Sequence, residues 1–489
     1  MRRAVTAAAL LTTVAVTLAP APSSAAVPYR GANTAAVQDD FNGDGYRDLA
    51  IGAPGAANGT VEEAGAVVIL YGSASSVSTA RRTVITQAST GIPGDPEQWD
   101  GFGAAVASAD LDRDGYADLL VGTPHEKVGS QASRGSVTVV WGGPAGLTGG
   151  AVIDPPARFG EGMTYCGFGM ALAVGDMTGD GAPEVSVASR CEGSSYTGPF
   201  TRTGRPAAAH RHNHLGMARG VVMGDVNGDG RAERFWLPGP TSGDIRGPVS
   251  LDHIDPSTGL PAKLPYADGH TGRIGDVNGD GYGDMVTGIA DDDHLSGTTG
   301  AAHRGGEIQV LYGSAQGITT TQRPQGFHQD TAGVPGAAED GDRFGHALSI
   351  GDIDDDGYAD VVVGAPGEAI GSRGSAGMAV VLRGSATGLT TAGAAAYSQD
   401  TASVPGTAET DDFLGQAVHF ADLDQDERAE TVVGTPGENI DGCLWLARGT
   451  ASGPAVDGSV NLCGKGAGLT IGSTDSLFGA ALTSPQVAR

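Results

Sequence analysis

The chain has 489 residues, of which 81 are Gly and 26 Pro, about a fifth of the total against roughly 12% in average proteins. With 39% hydrophobic but only 5% aromatic residues, it must build its interior from Ala, Val, Leu and Ile, in short elements joined by many turns. Lys and Arg number 29 against 57 Asp and Glu, a formal charge of −28 that repels phosphate backbones and anionic lipid, which disfavours nucleic acid and membrane surfaces as partners.

In chain order, residues 1–26 come first: Arg2 and Arg3, an apolar stretch from Ala4 to Leu18, then small residues at Ser23–Ala26. This pattern predicts a secretory signal peptide cleaved near Ala25 or Ala26, leaving a secreted mature chain 27–489. The apolar run is shorter than the ~20 residues a membrane span needs, and no other segment comes near that length. Four cysteines suit an oxidising compartment, and of three possible connectivities the local pairs Cys166–Cys191 and Cys443–Cys463 are expected. A cysteine zinc site would need closer spacing, usually C-x-x-C, which is absent.

From residue 40 onward one nine-residue pattern, D-x-[D/N]-x-D-G-x-x-[D/E], recurs seven times: DFNGDGYRD (40–48), DLDRDGYAD (110–118), DMTGDGAPE (176–184), DVNGDGRAE (225–233), DVNGDGYGD (276–284), DIDDDGYAD (352–360) and DLDQDERAE (422–430). The starts lie 70, 66, 49, 51, 76 and 70 residues apart, which is a structural period. Ca²⁺ needs six to eight oxygens at about 2.3–2.6 Å, and a tight loop supplies them when alternate side chains converge. Positions 1, 3, 5 and 9 offer side-chain oxygens, position 6 permits the sharp turn, and position 7 offers its carbonyl.

The candidate ligands are therefore Asp40, Asn42, Asp44, Tyr46 and Asp48 in the first copy and Asp110, Asp112, Asp114, Tyr116 and Asp118 in the second. The third and fourth copies give Asp176, Thr178, Asp180, Ala182 and Glu184, then Asp225, Asn227, Asp229, Arg231 and Glu233. The last three give Asp276, Asn278, Asp280, Tyr282 and Asp284; Asp352, Asp354, Asp356, Tyr358 and Asp360; and Asp422, Asp424, Asp426, Glu427 and Glu430. Asp and Gly also form plain turns, but three or four carboxylates packed together repel one another without a cation. Copy three has Thr178 at position 3, copy seven has Glu427 where Gly is wanted, and copy four runs on into an unusual RFWLPG. Up to seven structural Ca²⁺ would halve the formal charge of −28.

An EF-hand would place a Glu at position 12 and flank the loop with helices. Here position 12 falls in β-branched runs such as Asp360-Val-Val-Val-Gly, so each loop joins two strands. Upstream lie Phe102-Gly103, Phe168-Gly169, Phe344-Gly345 and Leu414-Gly415, and downstream the second strand ends in Gly52-Ala-Pro, Gly122-Thr-Pro, Gly364-Ala-Pro or Gly434-Thr-Pro. A third strand follows at 65–72, 135–142, 306–313 and 377–384, and a weaker fourth in the Thr-rich stretch beyond. Four strands repeated seven times predict an all-β fold, a seven-bladed β-propeller.

Phe-Gly, acidic loop and Gly-Ala-Pro in this order resemble the FG-GAP repeat of the integrin α-subunit N-terminal propeller, over roughly residues 32–482 and most fully in copies two and six. The resemblance implies seven blades starting near 32, 102, 168, 217, 268, 344 and 414, calcium in the hairpin between the first two strands of a blade, and a part in adhesion. Copies one, four and five lack Phe-Gly, having Ala32-Asn33, Met217-Ala218 and Asp268-Gly269, and blades three and four read as abbreviated. Phe478-Gly479 ends the chain with no acidic loop after it, either as an eighth first strand or as a strand closing the ring against blade one.

Three linkers, 92–103, 334–345 and 404–415, repeat a Glu followed three residues later by an Asp, for example Glu339 and Asp342. Such pairs can do acid–base work, but their recurrence around the ring points to a capped turn. His210-Arg-His212-Asn-His214 offers a transition-metal site or, more simply, a solvated loop. No G-x-S-x-G, H-E-x-x-H or P-loop occurs, and no residue stands out as a nucleophile. The reading is a monomeric, secreted calcium-binding module for a protein or glycan ligand. The alternatives are a hydrolase, lyase or phospholipase-like enzyme built on the ring, or a lectin using Trp99 or Trp141.

Overall fold

The computed structural model describes residues 37–212, 218–238, 248–255, 260–290 and 303–483; the segment 1–26 lies outside them. Every element among the described residues is a strand, and no helix is long and apolar enough to cross a membrane. The strands form seven sheets of four, each an antiparallel meander. Blade two is typical: β4 (Ala105–Ala109), β5 (Asp118–Thr123), β6 (Ser136–Trp141) and β7 (Thr148–Val152) pair in sequence order.

Burial follows position in the blade. Second strands such as β5 (DLLVGT) have a neighbouring blade on each face, are buried along their whole length and carry an apolar run in place of polar alternation. The fourth strands, such as β7 (TGGAV), lie at the rim and are only partly buried, which is why their pattern was weak in the sequence. Apolar side chains gather in seven clusters, one in each junction between neighbouring blades. Phe102 packs with Ile69 and Leu119 between blades one and two, and Phe344 with Val310 and Val363 between blades five and six. Each fully buried Phe of this kind contributes about 3 kcal/mol of apolar burial.

Blade one is closed by the far end of the chain. Its order is β28 (Ala481–Leu482), β1 (Leu49–Ala53), β2 (Ala66–Leu70) and β3 (Arg82–Ile85). Leu482 pairs with Ile51 and Ala481 with Gly52, so Phe478-Gly479 leads into a strand that shuts the ring, with Phe478 fully buried. The expected start near residue 32 lies outside the described residues. Blades three and four, expected to be abbreviated, each carry four strands: β8 (Ala171–Gly175) to β11 (Ala208–His212), and β12 (Gly220–Gly224) to β15 (Leu260–Leu264). Their strands are short but paired, and the missing Phe-Gly of blade four is replaced by a bridge from Ala218 to Ser189. Disulfides join Cys166 to Cys191 and Cys443 to Cys463, the latter across directly paired strands β26 (Cys443–Ala447) and β27 (Val460–Cys463).

Candidate metal centres on one face of the ring

All seven acidic loops precede the second strand of a blade, so they stand together on one face of the ring. Each loop is wound around the carboxylate at position 1. The position-6 backbone N–H donates to it in every copy, from Gly45, Gly115, Gly181, Gly230, Gly281, Gly357 and Glu427, at 2.7–3.2 Å. Gly357 has φ +94°, the left-handed region that makes Gly the natural choice there; Glu427 takes the same turn at φ 71° and so carries local strain.

The position-9 acid closes the loop from the strand side. In all seven copies it accepts the N–H of position 2, at 2.7–3.4 Å. Where it is Asp and a Gly follows the third strand, its other oxygen accepts a second N–H, from Gly72, Gly142, Gly313 or Gly384. Burial pushes these carboxyls up, Asp48, Asp118, Asp360 and Glu233 to about 7, and Asp284 and Glu430 to about 8. The backbone donors, and Arg383 beside Asp360, only partly oppose this, while acids of the same loop add to it.

In copies two, six and seven, carboxylate oxygens of Asp110, Asp112 and Asp118, of Asp352, Asp354 and Asp356, and of Asp422, Asp424 and Glu430 lie within 4.8 Å of one another. Asp112 Oδ1, Asp354 Oδ1, Asp424 Oδ1, Glu184 Oε1 and Glu430 Oε1 are buried and accept no hydrogen bond. A buried carboxylate oxygen without a donor is costly, and a hard cation removes that cost. The donor set therefore fits a calcium-class ion. Copies one, four and five bring an Asn amide oxygen instead, each accepting the position-5 N–H at 2.8–3.0 Å. Glu427 does not join its cluster; its side chain is exposed.

Two features escaped the sequence. Arginines already stand against several loops: Arg202 reaches Asp112 at 2.6 Å and also Asp114, Arg383 reaches Asp360 at 2.8 Å and Asp354 at 3.2 Å, and Arg81 reaches Asp44 at 3.2 Å. These come from other parts of the fold, so no local spacing announced them. The loops also touch one another. The position-8 N–H of Ala117, Ala232, Gly283, Ala359 and Ala429 donates at 2.8–3.1 Å to the position-1 carbonyl of the preceding loop. Pro183 breaks the series between loops two and three, having no N–H. Gln425 Nε2 donates to Gly45 O at 2.5 Å and links loop seven to loop one. The recurring Gly at position 4 with Tyr at position 7 was the available signal, since a Cβ on Gly43 would lie 2.5 Å from the Tyr116 ring.

The other candidates read differently. Asp100, Asp342 and Asp412 each accept the N–H of the Glu three residues earlier, at 2.5–2.6 Å, which caps a turn. His212 Nε2 is 2.8 Å from Ser195 Oγ, His210 is exposed on β11, and His214 lies outside the described residues. Trp99 is exposed, while Trp141 is buried beneath Arg202. Inner strands of all seven blades line a central channel of about 330 Å³, among them Val106, Leu172, Val221, Leu348, Val418 and Leu482, with Arg273 and His346 also in its wall. Its described lining holds no carboxylate.

A seven-bladed ring carrying this acidic loop in every blade defines an integrin-like FG-GAP propeller. The FG-GAP repeat family matches residues 32–70, 102–140 and 344–382 of this chain. Phosphatidylinositol-glycan-specific phospholipase D of Rattus norvegicus is 31% identical over 163 residues, 33% of this chain and 19% of that protein. Integrin alpha-5 of Xenopus laevis is 32% identical over 154 residues, 30% of this chain and 14% of that protein. Integrin alpha-V of Gallus gallus is 28% identical over 194 residues, 38% of this chain and 17% of that protein. The chain thus spans a fifth or less of the length of these relatives. Among solved structures, an exotype rhamnogalacturonan lyase aligns with a TM-score of 0.42 at 15% identity, covering 88% of this chain and 73% of that one.

Proposed function

We propose that the chain is a secreted, calcium-loaded propeller that binds a protein or glycan ligand without transforming it. The observation that carries the calcium reading is the set of buried, unpartnered carboxylate oxygens on loops of one design. Side chains at positions 1, 3, 5 and 9 and the carbonyl at position 7 would hold the ion, and its charge would offset the crowded acids and tie the hairpin between the first two strands. Two disulfides are compatible with an extracellular setting. A binding role rests on the integrin α relatives.

The phospholipase D relatives keep an enzymatic reading open as the alternative, and exposed Trp99 keeps a lectin reading. The deciding experiment counts bound calcium on dialysed protein and runs melts with and without EGTA, then screens the loaded protein on glycan and matrix-protein arrays with a parallel turnover assay. Four to seven ions per chain, a large fall in Tm on chelation, and saturable binding without turnover are expected. Two or fewer ions with an unchanged Tm would overturn the calcium reading, and turnover would overturn the binding reading.

A further inference from the structure

Blade five departs from its siblings at one turn. After the outer strand of blades one, five and six the chain makes the same hydroxyl-capped turn: Thr86 N–H donates to Ser89 Oγ at 3.0 Å, His328 N–H to Thr331 Oγ1 at 3.0 Å, and Ser398 N–H to Thr401 Oγ1 at 2.9 Å. The turn is satisfied by Thr or Ser at the position His328 holds, so its backbone does not call for an imidazole. His303 lies flat against His328, with ring centroids 3.5 Å apart and planes 5° from parallel.

The protons on this pair can be placed. His303 Nδ1 is 2.8 Å from the Arg304 carbonyl oxygen, which only accepts, so Nδ1 carries the hydrogen. In the neutral ring Nε2 then holds a lone pair, and it faces Asp330 Oδ2 at 3.4 Å, two electron-rich atoms turned toward each other. His328 Nδ1 is buried with no hydrogen-bond partner. One ligand atom from each of His303, His328 and Asp330 lies within 4.8 Å of the others.

We propose that His303, His328 and Asp330 bind one divalent transition-metal ion of the zinc class, separate from the seven acidic loops. Two imidazoles and one carboxylate suit zinc, nickel or copper, whereas calcium takes oxygen. A ligating histidine characteristically gives its other N–H to a backbone carbonyl, as His303 does here to Arg304. Three protein ligands leave a coordination position for water or an outside group. Parallel rings cannot both aim a lone pair at one ion, so binding turns the His328 ring out of the stack about its Cβ–Cγ bond while His303 keeps its hydrogen bond to Arg304. The competing species is a proton on His303 Nε2, an ion pair with Asp330 that needs no metal.

The test titrates zinc chloride into the full-length protein in excess calcium, by calorimetry, with Co²⁺ absorption as a second readout. One zinc per chain is expected in the wild type, weakened about tenfold or more in His303→Asn, His328→Ser and Asp330→Asn. His328→Ser copies the residue at 398 in the sibling turn, and an unchanged melt in calcium shows that it folds. His210→Asn, on exposed β11, should leave zinc binding unchanged. Absence of zinc uptake by the wild type, or wild-type affinity in the His303→Asn, His328→Ser double variant, would overturn the proposal.

Discussion

Gly364 of blade six and Gly415 of blade seven meet backbone to backbone: a Cβ built on Gly364 would lie 1.9 Å from the Gly415 carbonyl oxygen. Gly415 N–H in turn donates to the Gly434 carbonyl of its own blade at 2.9 Å. The same approach recurs at Gly52 with Gly103, Gly122 with Gly169, Gly288 with Gly345, and Gly434 with Gly479, at 2.0–2.1 Å. The two glycines of the repeat, some twenty residues apart within a blade, are thus two sides of one joint between blades.

Gly364→Ala should therefore lower stability by about 3 kcal/mol, because the obstructing atom is backbone and cannot rotate away. Gly374→Ala, with nothing within 4 Å of its added carbon, should be within about 0.5 kcal/mol of wild type. Urea denaturation of both compares them directly; equal losses would contradict the joint.

Ring closure rests on a short strand. Phe478→Ala should cost about 3–5 kcal/mol, and truncation after residue 475 should remove Phe478 and β28 together. The truncated chain would expose β1 as an unpaired edge and self-associate. Size-exclusion chromatography and melting check this, and a monomeric truncation with wild-type Tm would contradict it.

Arg383 stands in part for a cation at loop six, with its side chain only 14% exposed against Asp360 at 2%. Arg383→Gln should cost about 3 kcal/mol in EGTA, since it strands a buried carboxylate, and much less in calcium. Equal losses under both conditions would separate Arg383 from the metal loop.

The position-9 carboxyls set a pH dependence of the calcium-free protein. Their folded values, about 7 for Asp118 and about 8 for Asp284, lie above the ordinary 3.8, so the folded chain holds more protons between these limits. That contribution is fully present below pH 3.8 and is lost as pH rises through 7 to 8. The rise in Tm on adding calcium should accordingly grow from pH 6 to pH 8. A constant increment would contradict these protonation states.

The blade count, the strand order and the acidic loops were legible because each depends on residues near one another in the chain; for the disulfides the sequence favoured the local pairs and left the choice among three connectivities to the fold. Asp352 finds Gly357 five residues on, and Cys443 finds Cys463 across one hairpin. Chain order also carried the motif glycines, though not their meaning, since Gly364 meets a residue of the next blade.

Tertiary structure decided the rest. Only the closed ring brings Leu482 to Ile51, resolving the role of the terminal Phe478-Gly479. Only packing between blades puts Arg202 on Asp112 and ties loop two to loop one through Ala117 and Asp40, and only the fold stacks His303 on His328. The exposed side chain of Glu427 belongs here too: its spacing in the loop suggested a ligand, but its left-handed backbone carries the side chain out to solvent. Spacing along a chain fixes which groups can meet within a turn, whereas contacts between blades depend on how seven wedges close on one another, and no local pattern encodes that.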